Sequence, residues 1–257
     1  MQMERAFRIL VLLLSFGSIS TLATLLVVIH LSAAIPLLFL IIAIGDAEIV
    51  RRYGKAAGVG GALAYFAFML FSVYAGYASS IILSIIFFLL PFLWSMELRG
   101  ESLEKTLKSL GIGKDRLLQN IVFGILATLF LLYPLIIVEG IIITRLQLEK
   151  VGMVAKIISG LPIYLLIFSF TFTPFAEEIF FRGFLSDRIG IVLSSLLFSL
   201  AHFSYSSPSE FIGTFTAGMV FAILCRKRKS LVPSIAAHAL FNLVEVMIVY
   251  FAKPVIV

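Results

Sequence analysis

The chain has 257 residues, 61% of them hydrophobic and only 13% charged, against about a quarter charged in an average soluble domain. With a mean hydropathy of +1.13 and 25 phenylalanines, it has more apolar surface than a single water-facing domain of this size can bury. That excludes an ordinary soluble enzyme, a disordered chain and a disulfide-rich secreted protein; the single cysteine, Cys225, allows no internal disulfide. The net charge of +6 does not mark a nucleic-acid partner. The basic residues lie between apolar runs and cluster most tightly at Arg226, Lys227, Arg228 and Lys229, as cytoplasmic loops of membrane proteins do.

A helix needs about 20 mostly apolar residues to cross the hydrocarbon core. Ile9 to Gly45 carries no charge. It accommodates two spans that turn near His30 to Pro36, the second short enough to be re-entrant, with His30 at the interface. A cleaved signal peptide over Phe7 to His30 is disfavoured, because the apolar stretch is longer than a usual h-region and runs on into another span. After a polar patch (Asp46, Glu48, Arg51, Arg52, Lys55), the uncharged block Ala56 to Met96 folds best as a second pair turning near Ala75 to Ser79. Residues 101 to 111 differ: Leu103, Leu107 and Leu110 recur at i, i+4, i+7 between Glu104, Lys105 and Lys108. Ser102 can cap the start and Gly111 the end of a short helix, which lies in the cytoplasmic headgroup plane or is a solvated loop helix. Further spans are expected at Ile121 to Ile143, Ile157 to about Leu185, Ile189 to Phe203, Phe211 to Cys225 and Leu231 to Phe251. The expected fold is all-α: a polytopic transmembrane bundle of about eight or nine segments, one integral membrane domain over 1–257.

Orientation follows from Lys and Arg. With the N-terminus (Arg5, Arg8) cytoplasmic, the basic loops Arg51 to Lys55, Arg99 to Arg116, Arg182 to Arg188 and Arg226 to Lys229 are cytoplasmic too. Tyr74 to Ser80 and Ser204 to Glu210, which lack Lys and Arg, fall outside. The loop Arg145 to Lys156 is the basic exception.

Ionisable groups within spans are costly and mark function by default. The run Thr173-Pro174-Phe175-Ala176-Glu177-Glu178-Ile179-Phe180-Phe181-Arg182 places two carboxylates and an arginine in an apolar stretch. On a helix Glu178 and Arg182 are i, i+4 and can pair, whereas Glu177 is turned about 100° away and is free for chemistry. His202 follows Phe198-Ser199-Leu200-Ala201, and His238 and Asn242 are again i, i+4. Measured from Arg188 and Lys229 at about 1.5 Å per residue, Glu177 lies roughly 16 Å deep, His202 roughly 21 Å, His238 roughly 14 Å and Asn242 roughly 20 Å. Polar residues from three spans thus reach a similar depth, as in one polar site sunk below the cytoplasmic surface. Each also has a plainer account. His202, or His238 with Asn242, can be interhelical hydrogen-bonding groups, and the two glutamates can sit at a helix end if the span stops at Pro174. Glu139 and Glu245 lie in or near spans with no evident partner and receive no role.

Glu-Glu-x-x-x-Arg, Phe-x-x-x-His and His-x-x-x-Asn, in this order within membrane spans, resemble the motifs of the CPBP family of intramembrane proteases. These are the type II CAAX prenyl endopeptidases and their prokaryotic relatives, also called Abi proteins. The resemblance covers Pro174 to Asn242. It implies a catalytic core over 157–251 and leaves 1–156 as spans of unassigned role. It makes Glu177 the general base that activates water, with His202 holding and polarising that water. His238 and Asn242 become the oxyanion hole, with Glu178 and Arg182 in support. The implied partners are the lipid bilayer and a membrane-anchored protein or peptide, of the prenylated CAAX type in the family. Peptide hydrolysis needs such an activated water and such donors.

The family is commonly labelled as metalloproteases, and a metal-free glutamate mechanism is also proposed for it. Glu177, His202 and His238 are the set that would ligate Zn²⁺ with water in the fourth position. Because no His-Glu-x-x-His is present and the three come from three spans, the expectation is a mechanism that requires no cofactor. A rhomboid-like Gly-x-Ser-x-Gly is absent, as is a presenilin-type aspartyl pair. Two alternatives stay open: a proton- or ion-coupled transporter, whose relays also use intramembrane Glu and His, and a protease-fold scaffold that binds without cutting.

Overall fold

The computed structural model describes residues 4, 5, 7, 8, 11, 12, 46, 47, 49–63, 78–113, 115–146, 158–202 and 208–251. The regular elements among the described residues are helical. The two spans expected between Ile9 and Gly45, with His30, lie outside the described residues except for the helical pair Val11 and Leu12. The chain divides into two compact units, Met1–Thr106 and Leu107–Val257.

In the first unit, helix α1 (Ala78–Phe92) runs into a π-helical turn, Leu93–Leu98. Near its end the Glu97 side chain is 4% exposed and pairs with Arg52 at 2.5 Å and Arg8 at 3.7 Å. It also accepts a hydrogen bond from the Tyr53 hydroxyl at 3.2 Å. Arg8 donates to the carbonyls of Met96 at 2.8 Å and Glu101 at 2.9 Å. A carboxylate withdrawn from water demands such partners. Arg8 and Arg52, both expected on the cytoplasmic side from the charge pattern, thus meet at the Glu97 carboxylate.

Helix α2 (Leu103–Ser109) forms where the leucine spacing places it. The Lys105 amide donates to Ser102 Oγ at 3.3 Å, the expected N-cap. Gly111 stands at φ +72°. Its amide bonds the Lys108 carbonyl and the Ile112 amide bonds that of Leu107, the paired closure of a glycine-terminated helix. Glu104, Lys105 and Lys108 are exposed and Leu110 is buried, so the helix is amphipathic.

The second unit contains four helical stretches long and apolar enough to cross a membrane. Helix α3 (Leu117–Ala127), a π-helical turn (Thr128–Leu132) and α4 (Tyr133–Arg145) form the first. Helix α5 (Ile163–Glu178), a π-helical segment (Ile179–Leu185) and the short α6 (Ser186–Ile189) form the second. Gly190, at φ +85°, turns the chain into α7 (Ile191–Ala201), an apolar helix too short to span unaided. Helices α8 (Pro208–Arg228) and α9 (Val232–Phe251) complete the unit. These match four of the five spans expected after residue 120; the fifth, Ile189 to Phe203, is a short apolar helix over the described residues. The protein is a multi-pass, all-α membrane protein. Leu118, Phe130 and Ile137 are exposed, which suits a surface whose solvent is lipid.

Between helices in lipid, close backbone approach and hydrogen bonds replace the hydrophobic drive. A side chain at Gly124 would collide with the Pro233 carbonyl, so this glycine lets α3 lie directly on α9. One turn on, Thr128 Oγ1 donates to the carbonyls of Gly124 at 3.0 Å and, across the interface, Ala237 at 3.3 Å. Arg228 Nε donates to Asn120 Oδ1 at 2.8 Å, tying the end of α8 to the start of α3. The core joins Leu132, Ala217, Val220, Phe221, Leu224 and Ala237. Helix α9 is thereby fixed against α3, α5 and α8, and it carries His238 and Asn242.

Candidate active site

Helix α5 continues through Pro174 and delivers Glu177 and Glu178 into the second unit. The helix end at Pro174, considered from sequence, is not formed. The π-helical segment that follows carries Arg182, and such segments recur at functional sites. Gly183 is required there by contact: an added Cβ would lie 2.9 Å from the Leu110 carbonyl oxygen and 3.0 Å from Leu231 Cδ1.

Arg182 Nη1 donates to Glu178 Oε1 at 2.9 Å, the i, i+4 pair expected from spacing. Both side chains are at most 1% exposed. The guanidinium also stands over aromatic rings, 4.2 Å from the centroid of Phe198 and 5.4 Å from that of Phe221. A buried cation gains from such faces when water is absent. An added Cβ at Gly218 would lie 3.2 Å from Arg182 Nη2 and 3.1 Å from Ser195 Cβ, so the guanidinium occupies space that only glycine leaves.

His238 connects the two glutamates. Its Nδ1 lies 2.9 Å from Glu178 Oε1 and its Nε2 lies 3.8 Å from Glu177 Oε2. The imidazole stacks on Phe221 at 4.9 Å between centroids and meets Phe198 edge-on at 5.7 Å. Glu177 Oε2 is buried and has no hydrogen-bond partner. Glu177 therefore sits without Arg182 as its hydrogen-bonding partner, as its helical position required.

His202 closes α7. Its Nδ1 lies 2.8 Å from the Phe198 carbonyl oxygen, which can only accept, so Nδ1 carries the proton and Nε2 is left for other partners. The ring packs on Phe198 at 4.7 Å, and Phe198 thus touches both imidazoles. Asn242 is directed elsewhere: its Nδ2 donates to the Ser169 carbonyl on α5 at 2.8 Å. That carbonyl neighbours Phe170, whose oxygen loses its helical donor because Pro174 has no N–H. The structure so brings Glu177, Glu178, Arg182 and His238 into one cluster, joins His202 to it through Phe198, and sets Asn242 on the same face of α9 as a link to α5.

Among the described residues, no three His, Cys, Asp or Glu side chains are grouped to hold a metal ion. With Nδ1 of His238 engaged by Glu178 and Nδ1 of His202 by a carbonyl, Nε2 is the nitrogen left over on each ring. Outside the cluster, the sequence left Glu139 without a partner; the structure supplies one, since Thr216 Oγ1 donates to Glu139 Oε1. Phe198 entered the sequence reading only as the first residue of the Phe-x-x-x-His motif; sequence reasoning missed Phe221, which carries no signal among 25 phenylalanines. Gly218 could have been noticed as a small residue within a span.

The fold and cluster define a membrane-embedded helical domain built around buried carboxylates and imidazoles. Residues 159–244, which contain the whole cluster, match the family model described as type II CAAX prenyl endopeptidase Rce1-like. This match agrees with the motif resemblance and covers about a third of the chain. No curated protein and no solved structure matches the chain.

Proposed function

We propose that the protein is an intramembrane endopeptidase that hydrolyses a peptide bond of a membrane-anchored substrate, of the prenylated CAAX type. Glu177 acts as general base, taking a proton from the attacking water and passing it to the leaving amine. His202, with Nδ1 engaged by the Phe198 carbonyl, offers Nε2 to hold and polarise that water. The proton that Glu177 takes from water is shared with His238 Nε2, 3.8 Å away, which donates it to the developing oxyanion before it returns through Glu177 to the leaving amine. The Asn242 amide has a second N–H beyond the one given to Ser169, and this is the second oxyanion donor. Glu178 and Arg182 support the site. No cofactor takes part, and the site opens to the cytoplasmic side, where the Arg226 to Lys229 cluster is expected.

The observation that carries this proposal is the approach of Glu177 Oε2 to His238 Nε2, 3.8 Å apart, in a cluster where Oε2 of Glu177 and of Glu178 are both buried without a hydrogen bond. A carboxylate kept out of water without a hydrogen bond is unfavourable for stability, and such features concentrate where chemistry requires them.

The test is cleavage of a quenched, lipidated CAAX peptide by the purified protein in detergent. Wild type, Glu177→Ala and His202→Ala are compared, each with and without a chelator. Cleavage that both substitutions abolish and the chelator spares is the expected result. Loss on chelation with recovery on adding Zn²⁺ overturns the metal-free mechanism. A Glu177→Gln variant that still binds the substrate while no variant, wild type included, cuts any lipidated peptide points instead to a scaffold.

A further inference from the structure

Glu178 Oε1 receives two groups at once, Arg182 Nη1 and His238 Nδ1, each at 2.9 Å. Paired with a guanidinium, Glu178 is a carboxylate and can only accept. The hydrogen bond to His238 therefore needs its proton on Nδ1, which fixes the ring nitrogen left over as Nε2. The in-plane orientation of the imidazole is set by that bond. Its tilt is set by Phe221, stacked at an interplanar angle of 20°, and by Phe198, edge-on at 87°. The same two rings flank the Arg182 guanidinium. A flipped imidazole would present a carbon to Glu178 and leave a buried carboxylate with one donor fewer.

We infer that Glu178 is a positioning residue acting through His238: it holds Nδ1, so that Nε2 alone faces Glu177. This rests on the proposed peptidase chemistry for its consequence in rate, and on geometry alone for its consequence in the ring. Pairing with Arg182 is then only half of the role of Glu178. Arg182 holds Glu178 in place, and Glu178 keeps the histidine in one tautomer and one orientation. An orienting carboxylate behind a histidine is a recurrent device in hydrolytic sites.

The two roles separate when both charges are removed together. Replacing a buried ion pair by apolar residues of similar volume commonly preserves folding. A Glu178→Leu/Arg182→Met variant therefore tests positioning without leaving an orphan charge. Histidine ¹⁵N NMR of the full chain in detergent reads the tautomer, with the His238 signal assigned by its loss in His238→Gln. The expected result is a wild-type His238 protonated on Nδ1 and a double variant that populates both tautomers. On the lipidated peptide the double variant's kcat falls ~100-fold or more with KM nearly unchanged. A wild-type ring protonated on Nε2 and bare at Nδ1 overturns the inference, whether or not the variant folds. So does a folded double variant with wild-type tautomer and rate, which is what a purely structural Glu178–Arg182 pair predicts. The tautomer is read without substrate, so a protein that cuts no peptide would refute the peptidase proposal and leave this result to be decided independently.

Discussion

Glu177 and His238, from helices α5 and α9, face each other across 3.8 Å inside a unit whose outer side chains are apolar and exposed. Everything around them is arranged to hold that approach. Glu178 fixes the far nitrogen of the histidine, Arg182 balances Glu178, and Phe198 and Phe221 confine both the guanidinium and the imidazole. Glu177 itself has a buried oxygen without any hydrogen bond. Glu178 Oε2 is likewise buried without one; what separates the two carboxylates is that Glu178 Oε1 is held by both Arg182 and His238.

That asymmetry predicts opposite stability effects at adjacent positions. Glu177→Gln removes a carboxylate whose buried Oε2 has no hydrogen bond to lose, and thermal unfolding in detergent is expected to stay unchanged or rise slightly. Arg182→Leu leaves Glu178 uncompensated, and the expected loss is about 3–5 kcal/mol. Equal destabilisation by both substitutions contradicts the assignment.

Helix α3 rests on α9 through Gly124, where a Cβ would strike the Pro233 carbonyl. Gly124→Ala is expected to destabilise by about 1–3 kcal/mol, through forced separation of the two helices. Gly140, on the continuing α4, has nothing within 4 Å of its ideal Cβ. Gly140→Ala should be neutral or stabilise by up to about 1 kcal/mol from helix propensity. Thermal unfolding of the pair in one detergent distinguishes a packing glycine from a permissive one.

Asn242 joins α9 to α5 through the Ser169 carbonyl. Asn242→Leu therefore removes an interhelical hydrogen bond worth about 0.6–2 kcal/mol in membrane bundles. Under the proposed chemistry it also removes an oxyanion donor, and kcat should fall by about 10²–10³-fold. Asn242→Asp keeps the shape but loses both N–H donors. If it retains wild-type cleavage, Asn242 has no part in stabilising the oxyanion.

Glu139 stands apart from the cluster, its Oε1 bonded by Thr216. Glu139→Gln keeps an acceptor for Thr216 and removes an intramembrane charge. Cleavage is expected to remain within about twofold of wild type. A large loss would mean that polar groups on α4 and α8 take part in the reaction, as a transporter's relay would require.

Several of these features were legible in the sequence for identifiable reasons. The Glu178–Arg182 pair follows from i, i+4 spacing, and the closure of α2 at Gly111 from leucine periodicity ending at a glycine. The meeting of Glu177 with His238 follows from counting helical rise inward from Arg188 and Lys229, because spans of similar tilt convert sequence distance into depth. What escaped depends on partners that have no side-chain signature. The acceptor for Asn242 is a backbone carbonyl, hinted at only by the nearby Pro174. The bridging of both glutamates by His238 depends on the rotation between α5 and α9, which periodicity within either helix does not contain. Phe221 looks like any other phenylalanine of a span until packing selects it, and the motif that contains Phe198 does not say that its ring touches both imidazoles.

The most direct test of glutamate-dependent hydrolysis is mass spectrometry of a lipidated CAAX peptide incubated with wild type and Glu177→Gln. The account predicts two fragments whose masses sum to the peptide plus one water, formed by wild type and absent with Glu177→Gln at equal binding. Fragments formed equally by both proteins would contradict it.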